Sequence, residues 1–117
     1  YIETKEVLNF DISKTILSLA DTDFSSSVDA ISLLSDKKRD YIVCSTFGHF
    51  MKHHARAVIK NNYKYVFNDE NMIDEFYNLN DDPYEMNNLI FDNKYSDLIQ
   101  NYKKYLSTWE VEERYKD

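Results

Sequence analysis

"RAVIKNNYKYVFNDENMIDEFYNLNDDPYEMNNL", Arg56 to Leu89, is the stretch that decides the fold. Its first part holds two arms rich in β-branched and aromatic residues, separated by Asn61-Asn62. Asparagine tolerates the positive φ that a tight hairpin turn requires, so the pattern predicts a β-hairpin. Side chains alternate along a strand, which puts Tyr63, Tyr65 and Phe67 on one face of the second arm and Lys64 and Val66 on the other. "DENMIDE" reads as a polar connection and "EFYNLN" as a further strand. "DDPYEMNNL" then turns the chain. It holds the only proline, Pro83, which pushes Asp82 toward extended geometry. Asp and Asn side chains in such a stretch bond local N–H groups.

Working outward, "RDYIVCSTF" predicts a strand. Tyr41, Ile42 and Val43 are strand formers, and the continuous apolar run implies burial on both faces. Between it and the hairpin, "GHFMKHHA" reads as a loop around the only glycine, Gly48. After the turn, "NKYSDLIQNYKKYLSTWEVEERY" reads as a long helix. Tyr95, Leu98, Ile99, Tyr102, Leu106 and Trp109 follow at spacings of three, one, three, four and three, which traces one helical face. At the other end, "DISKTILSLAD" predicts a helix with Asp11 as its N-cap and an apolar stripe of Ile12, Ile16, Leu17, Leu19 and Ala20. "DTDFSSS" stops it. "VDAISLLSDKKRD" fits no single element; Leu33 and Leu34 are expected to seal a core edge, with a charged loop after them. The order of helix, strand, hairpin, strand and helix predicts an α+β fold. It would be a small antiparallel sheet of about three to four strands with a central hairpin, packed against a long C-terminal helix, plus an N-terminal helix.

The chain has 117 residues, 43% of them hydrophobic, which suits a single domain spanning 1–117 with one modest core. Its 21 acidic residues outnumber 14 basic ones, for a net charge of −7. That argues against nucleic acid, whose phosphates need clustered cations. The densest basic run, Lys37-Lys38-Arg39, is flanked by Asp36 and Asp40 and reads as a solvated loop. No apolar run is long enough to span a membrane as a helix. Cys44 is the single cysteine, so no internal disulfide can form. The first residue is Tyr1, not Met, which suggests a piece of a longer protein and leaves its compartment open.

The Arg56–Leu89 stretch resembles the C-terminal subdomain of the sulfatase family, within the alkaline-phosphatase-like superfamily. Members carry approximately R-x-[VI]-[RK]-x-x-x-[YW]-K-[YLF]-[IV]-x-N, then L-Y-[DN]-L-x-x-D-P-x-E-x-x-N-L. This sequence supplies Arg56, Val58, Lys60, Tyr63, Lys64, Tyr65, Val66 and Asn68, then Tyr77, Asn78, Leu79, Asp82, Pro83, Glu85, Asn88 and Leu89. "LNFDISKTILSLAD" is similar to the family's V-D-[LI]-x-P-T-[LI]-L-D-L-A-G helix, with Lys14 in the proline place and Asp21 in the glycine place. "VDAISLL" is similar to D-G-x-S-L-L, with Ala30 in the glycine place. The closing helix also fits.

The resemblance implies the C-terminal part of a sulfatase, a sulfuric ester hydrolase. Residues 1–24 would belong to the edge of a large N-terminal domain lying outside this chain, and residues 40–117 would form the sheet and last helix. Its partners would be that domain and, through it, a sulfate ester. The isolated piece would expose an apolar patch and self-associate. In the family, a formylglycine made from Cys or Ser in C/S-x-P-x-R attacks sulfur beside calcium or magnesium, and the cation polarises the sulfate. "CSTFG" after Ile42-Val43 lacks both proline and arginine, so Cys44 is not that site. No catalytic or metal residue is carried onto this chain, which alone would be inert and hold no cofactor. Two alternatives stand beside this reading. One is a non-catalytic binding or interaction module; the other is the C-terminal part of a relative that hydrolyses phosphate or phosphonate esters.

In the family, the loop before the hairpin can reach the active-site mouth. The resemblance therefore implies a substrate-binding role for His53, His54 and Arg56, meeting a sulfate or a sugar hydroxyl. Arg suits an oxyanion because its planar fork bonds two oxygens at once. The plainer reading makes them surface loop residues. His49 and His53 are four apart and, with Cys44 or Asp40, could hold zinc, but the spacing matches no established zinc pattern. "NDENMID" has alternating carboxylates yet lacks the glycine and terminal glutamate of a calcium loop. Asp82, Pro83, Glu85 and Asn88 are expected to build a turn that locks the preceding strand to the last helix. The alternating tyrosines are expected in the core, not on a carbohydrate platform. Cys44 is expected to be an inert buried thiol.

Overall fold

Asn61 and Asn62 both take positive φ, 47° and 59°, in the computed structural model of the chain. That is the turn geometry whose twist matches the flanking strands. The structure describes residues 6–26, 28–47, 54–68 and 72–114. Contacts divide the chain into two compact units, Tyr1–Asp40 and Tyr41–Asp117.

The second unit is built on the hairpin. Strands β1 (Ile42–Phe47), β2 (His54–Lys60), β3 (Tyr63–Asn68) and β4 (Glu75–Asn78) form one four-stranded sheet in the order β1-β2-β3-β4. Every neighbouring pair is antiparallel. The register pairs Val58 with Tyr65 and Tyr65 with Phe76, so these three side chains line up across one face. Helix α2 (Ser96–Arg114) follows a short 3-10 turn, Asn93–Tyr95. Its Ile99, Tyr102 and Leu106 pack on Val58, Tyr65 and Phe76 to make the core, with Trp109 partly buried against it. The rings interlock: Phe76 stacks on Tyr63 at 5.6 Å and meets Tyr102 edge-on at 5.5 Å. Such pairs add to the burial of their area. The Tyr102 hydroxyl donates to the Lys60 carbonyl at 2.5 Å, which ties the helix to the end of β2. The α+β expectation and the core role of the alternating tyrosines both hold.

Two expectations for this unit are corrected. His54 and Ala55 are strand residues, not loop, because β2 pairs with β1 as far as Phe47–His54. Cys44 is exposed, not buried. Among residues 42–46 of β1 only Ile42 is buried, since β1 is an edge strand with a partner on one side.

The polar turn after β4 fastens itself to the sheet, and its bonds explain the residue types. Both backbone groups of Phe76 point off the open edge of the sheet. Its N–H donates to the Asn88 side-chain oxygen at 3.0 Å, and its carbonyl accepts from Leu89 at 2.8 Å. Asn88 also accepts from Ile90 and donates to the Asp74 carbonyl. Asp82 accepts from the N–H groups of Met86 and Asn87. Glu85 takes the ammonium of Lys64 at 2.6 Å. The turn thus closes an edge that would otherwise leave backbone groups unpaired.

The first unit holds helix α1 (Asn9–Leu19) and the segment after it. Asp11 is not the N-cap. Leu8 is, and it has no acceptor of its own. Asp11 sits at the third helical position and reaches back to accept from the Leu8 N–H at 2.8 Å. The helix ends with Asp21 at φ 52°, with the Thr22 N–H on the Leu17 carbonyl and the Asp21 N–H on the Ser18 carbonyl. This is the left-handed stop that glycine favours, and it accounts for the glycine in the family pattern at this place. Leu33 and Leu34 do not seal a core edge: both are exposed. The α1 stripe is exposed too, with Ile12, Ile16 and Leu19 at 55%, 61% and 70%. Sequence periodicity marks an apolar face but not what covers it.

Candidate functional site

Arg56 lies in the middle of β2, opposite Ser45 on β1 and Phe67 on β3. His54 opens the same strand, opposite Phe47. Residues two apart share a face, so His54 and Arg56 lie on the side of the sheet that carries Val58, the side packed by α2. His53 and His49 lie outside the described residues, as do the glycine loop and the centre of "NDENMID".

Arg56 lines a groove of about 440 Å³ between the sheet and α2, together with Tyr65, Phe67, Asp74, Lys103, Leu106 and Ser107. Its floor is a fixed polar pair. The Tyr65 hydroxyl donates to Asp74 Oδ2 at 2.7 Å, and the Asn68 N–H donates to Asp74 Oδ1 at 3.2 Å. Burial, with the Asp74 carboxylate beside it, holds the Tyr65 phenol far above its ordinary pKa, so it stays a donor. The ammonium of Lys103 stands 3.5 Å from Asp74 Oδ2 and 5.7 Å from the centre of the Tyr65 ring. A second groove, of about 570 Å³, shares Phe67, Asp74 and Lys103 with the first and continues past Met72, Ile73 and Phe91.

Sequence reasoning singled out Arg56 but missed Lys103 and Asp74. Lys103 follows core residue Tyr102 on a helix, and Asp74 closes a polar connection. Neither position carries a local signal of the other.

The first unit has its own buried polar centre. Asp11 is 1% exposed, and its carboxylate accepts from both terminal guanidinium nitrogens of Arg39, Nη1 and Nη2, and from the Ile31 N–H. Burial opposes its ionisation, but the Arg39 bonds and the Ile31 and Leu8 N–H groups outweigh this and hold its pKa below the ordinary value. Arg39 also donates to the Asp29 carbonyl. The Thr15 hydroxyl links the helix to Leu33. Every partner in this centre is engaged in holding the chain together.

Among the described residues, no group of three or more His, Cys, Asp or Glu side chains is placed to hold a metal ion. Cys44 is followed by Ser45-Thr46-Phe47, not by x-P-x-R. These residues do not fit a formylglycine–cation centre. No helix among them is long and apolar enough to cross a membrane.

A four-stranded antiparallel meander backed by one long helix defines an α+β domain. The particular family follows from comparison: residues 2–112 match the family of N-sulphoglucosamine sulphohydrolase, C-terminal, and the chain belongs to it. An uncharacterized protein of Haemophilus influenzae is 32% identical over 92 residues, which are 74% of this chain and 47% of that protein. A proposed sulfatase from Bacteroides thetaiotaomicron superposes with a TM-score of 0.78 at 25% identity, over 86% of this chain and 24% of that one. A 2-O GAG sulfatase matches in fold with the same coverage and TM-score at 24% identity. A third structure, solved with its substrate D-glucosamine-2-N,6-O-disulfate, matches in fold at 17% identity with a TM-score of 0.76, over 93% of this chain and 25% of that one. The chain thus spans about half the length of the Haemophilus protein (47%) and about a quarter of these structures (24–25%).

Proposed function

We propose that this C-terminal domain serves a sulfatase whose catalytic domain precedes it in the whole protein. The observation that carries the reading is the family match over residues 2–112. In this account the sulfate ester, the formylglycine and the calcium or magnesium ion are handled by the catalytic domain, which is this domain's partner. The domain itself completes the fold and lines the substrate entrance through His53, His54 and Arg56. The guanidinium of Arg56 suits the second role because it can bond two oxygens of an oxyanion at once.

Two assays test this. The 117-residue chain alone should turn over no aryl sulfate at any calcium or magnesium concentration; turnover that survives repurification would sink the division of labour. In the whole enzyme, Arg56→Gln or His54→Ala should raise KM for sulfate ester with little loss of kcat, the pattern of lost ground-state binding. Unchanged KM in both variants would remove the entrance role.

A further inference from the structure

We propose that the outer edge of β1 is a self-pairing surface. Two copies of this domain join antiparallel along Ile42–Phe47, so that two four-stranded sheets become one continuous sheet. The inference stands on the sheet edge and does not need the sulfatase reading.

The hairpin fixes which way each backbone group points. Only Asn61 and Asn62 separate Lys60 from Tyr63, so those two residues exchange bonds across the turn. The pattern alternates along β2. The backbone groups of Val58 and Arg56 also face β3, and those of Ile59, Ala57 and Ala55 face β1. Their partners Ile42, Cys44 and Thr46 face inward, which turns the N–H and carbonyl groups of Val43 and Ser45 away from the sheet. The same alternation sends the groups of Phe76 off β4, where they bond to Asn88 and Leu89. One edge of the sheet is therefore closed by the chain itself. On the other, no backbone bond reaches the outward groups of Val43 or Ser45 among the described residues.

Edge strands are commonly guarded by a proline, a charged side chain or a bulge. Ile42–Phe47 holds no proline and no charged residue, and its register with β2 runs without a skipped position. The chain carries a net charge of −7, so an uncharged strand is where two copies meet with least repulsion. Symmetry supplies the occupant. Antiparallel pairing of identical strands is two-fold, and each bond made by one copy is repeated by the other. With the axis at Cys44, the outward groups of Val43 meet those of the partner's Ser45, and the reverse, so both outward residues of each copy are satisfied. Ile42 then lies beside the partner's Thr46 and Val43 beside the partner's Ser45, larger against smaller, with no like charges opposed. Val43 already packs against the core under α2, so the partner strand also covers that half-buried margin. Cys44 is exposed and falls on the axis, in a pair without backbone bonds, where facing Cα atoms come within about 4.5 Å. A disulfide spans Cα separations of about 4.4–6.8 Å, so this thiol reports the pairing.

The test uses the whole protein, oxidised mildly with diamide, which takes up the two electrons and two protons that a thiol pair releases. Peptide mass spectrometry reads the disulfides and sedimentation the dimer fraction. A Cys44–Cys44 peptide and a monomer–dimer equilibrium are expected. In the 117-residue chain Cys44 is the only cysteine, so any disulfide there joins two copies. Ser45→Pro removes only an outward N–H, and Thr46→Lys puts a charge on the edge. Each should weaken the dimer at least about tenfold and abolish the cross-link, so the result does not depend on one variant folding. Ile16→Glu, on α1, should keep the cross-link, which separates this contact from association through the α1 stripe. Cys44→Ser combined with Ser45→Cys detects pairing shifted by one residue, and a cross-link there also supports the interface. A whole protein that stays monomeric at every concentration, or a dimer cross-linked at neither position, would overturn the proposal. So would slow exchange of the Val43 and Ser45 amides in a monomer, because the preceding domain would then supply the pairing strand.

Discussion

Replacing Asn88 by alanine isolates the bond that closes the sheet. The Asn88 side chain accepts from the N–H groups of Phe76 and Ile90 and donates to the Asp74 carbonyl. Phe76 is fully buried, so its N–H would lose its acceptor in a place closed to easy rehydration. An unsatisfied buried donor costs about 1–3 kcal/mol, and a typical net hydrogen bond about 1 kcal/mol. The two outer bonds are more exposed and will be partly replaced by water. The total expected loss is therefore about 2–4 kcal/mol. Asn88→Asp keeps the acceptor and should cost less than half as much at neutral pH. Urea unfolding followed by the fluorescence of Trp109, the only tryptophan, reads the stability of this unit directly. A loss below about 0.5 kcal/mol for the alanine variant, the scatter of ordinary surface changes, would refute the edge-closing role.

Other outcomes follow from the same bonds. Asp21→Gly should stabilise α1 by roughly 0.5–1 kcal/mol, because an L-residue pays to sit at positive φ; a destabilised variant by thermal unfolding would contradict the left-handed stop. Asp11, with its pKa held below 3.8 in the fold, contributes stability that is full above that value and is lost as pH falls through the lowered one. The stability gap between wild type and Asp11→Asn should thus shrink below about pH 3.8, and a gap flat from pH 6 to 2 would count against the Arg39 pairing. Burial and the Glu75 carboxylate push Tyr77 up to about 12, and Tyr65 is raised further, so both favour the fold below pH 10 and oppose it above. Ultraviolet titration should show these two phenols ionising only with alkaline unfolding, and variants lacking them should lose less stability between pH 10 and 12. The isolated chain should self-associate through Ile12, Ile16 and Leu19, and Ile16→Glu should reduce this in sedimentation; a wild type that stays monomeric at high concentration would contradict it.

Much of the second unit was legible in the sequence because its signals are local. Asn61-Asn62 between alternating aromatics fixes a turn and a register, and the spacing from Tyr95 to Trp109 fixes a helical face. What failed depends on neighbours distant in sequence. Cys44 reads as buried in an apolar run, yet β1 lies at the sheet edge. Leu33 and Leu34 read as a core edge, but apolarity says nothing about what lies opposite. Asp11 was misplaced by three positions because an aspartate can bond helix-end N–H groups either as the cap or from the first turn, and the choice rests on Arg39 and Ile31 far along the chain. The groove was half visible. Arg56 belongs to a motif, whereas Lys103 reaches Asp74 only once α2 is laid on the sheet.

The central claim is that this domain serves an enzyme whose sulfate-ester chemistry lies in a preceding domain. Peptide mass spectrometry of the native protein tests it most directly, by looking upstream of Tyr1 for a C/S-x-P-x-R peptide and its formylglycine form. The account predicts that the modified peptide is found in the same chain as the Arg56–Leu89 stretch. A native chain with no such motif would contradict it.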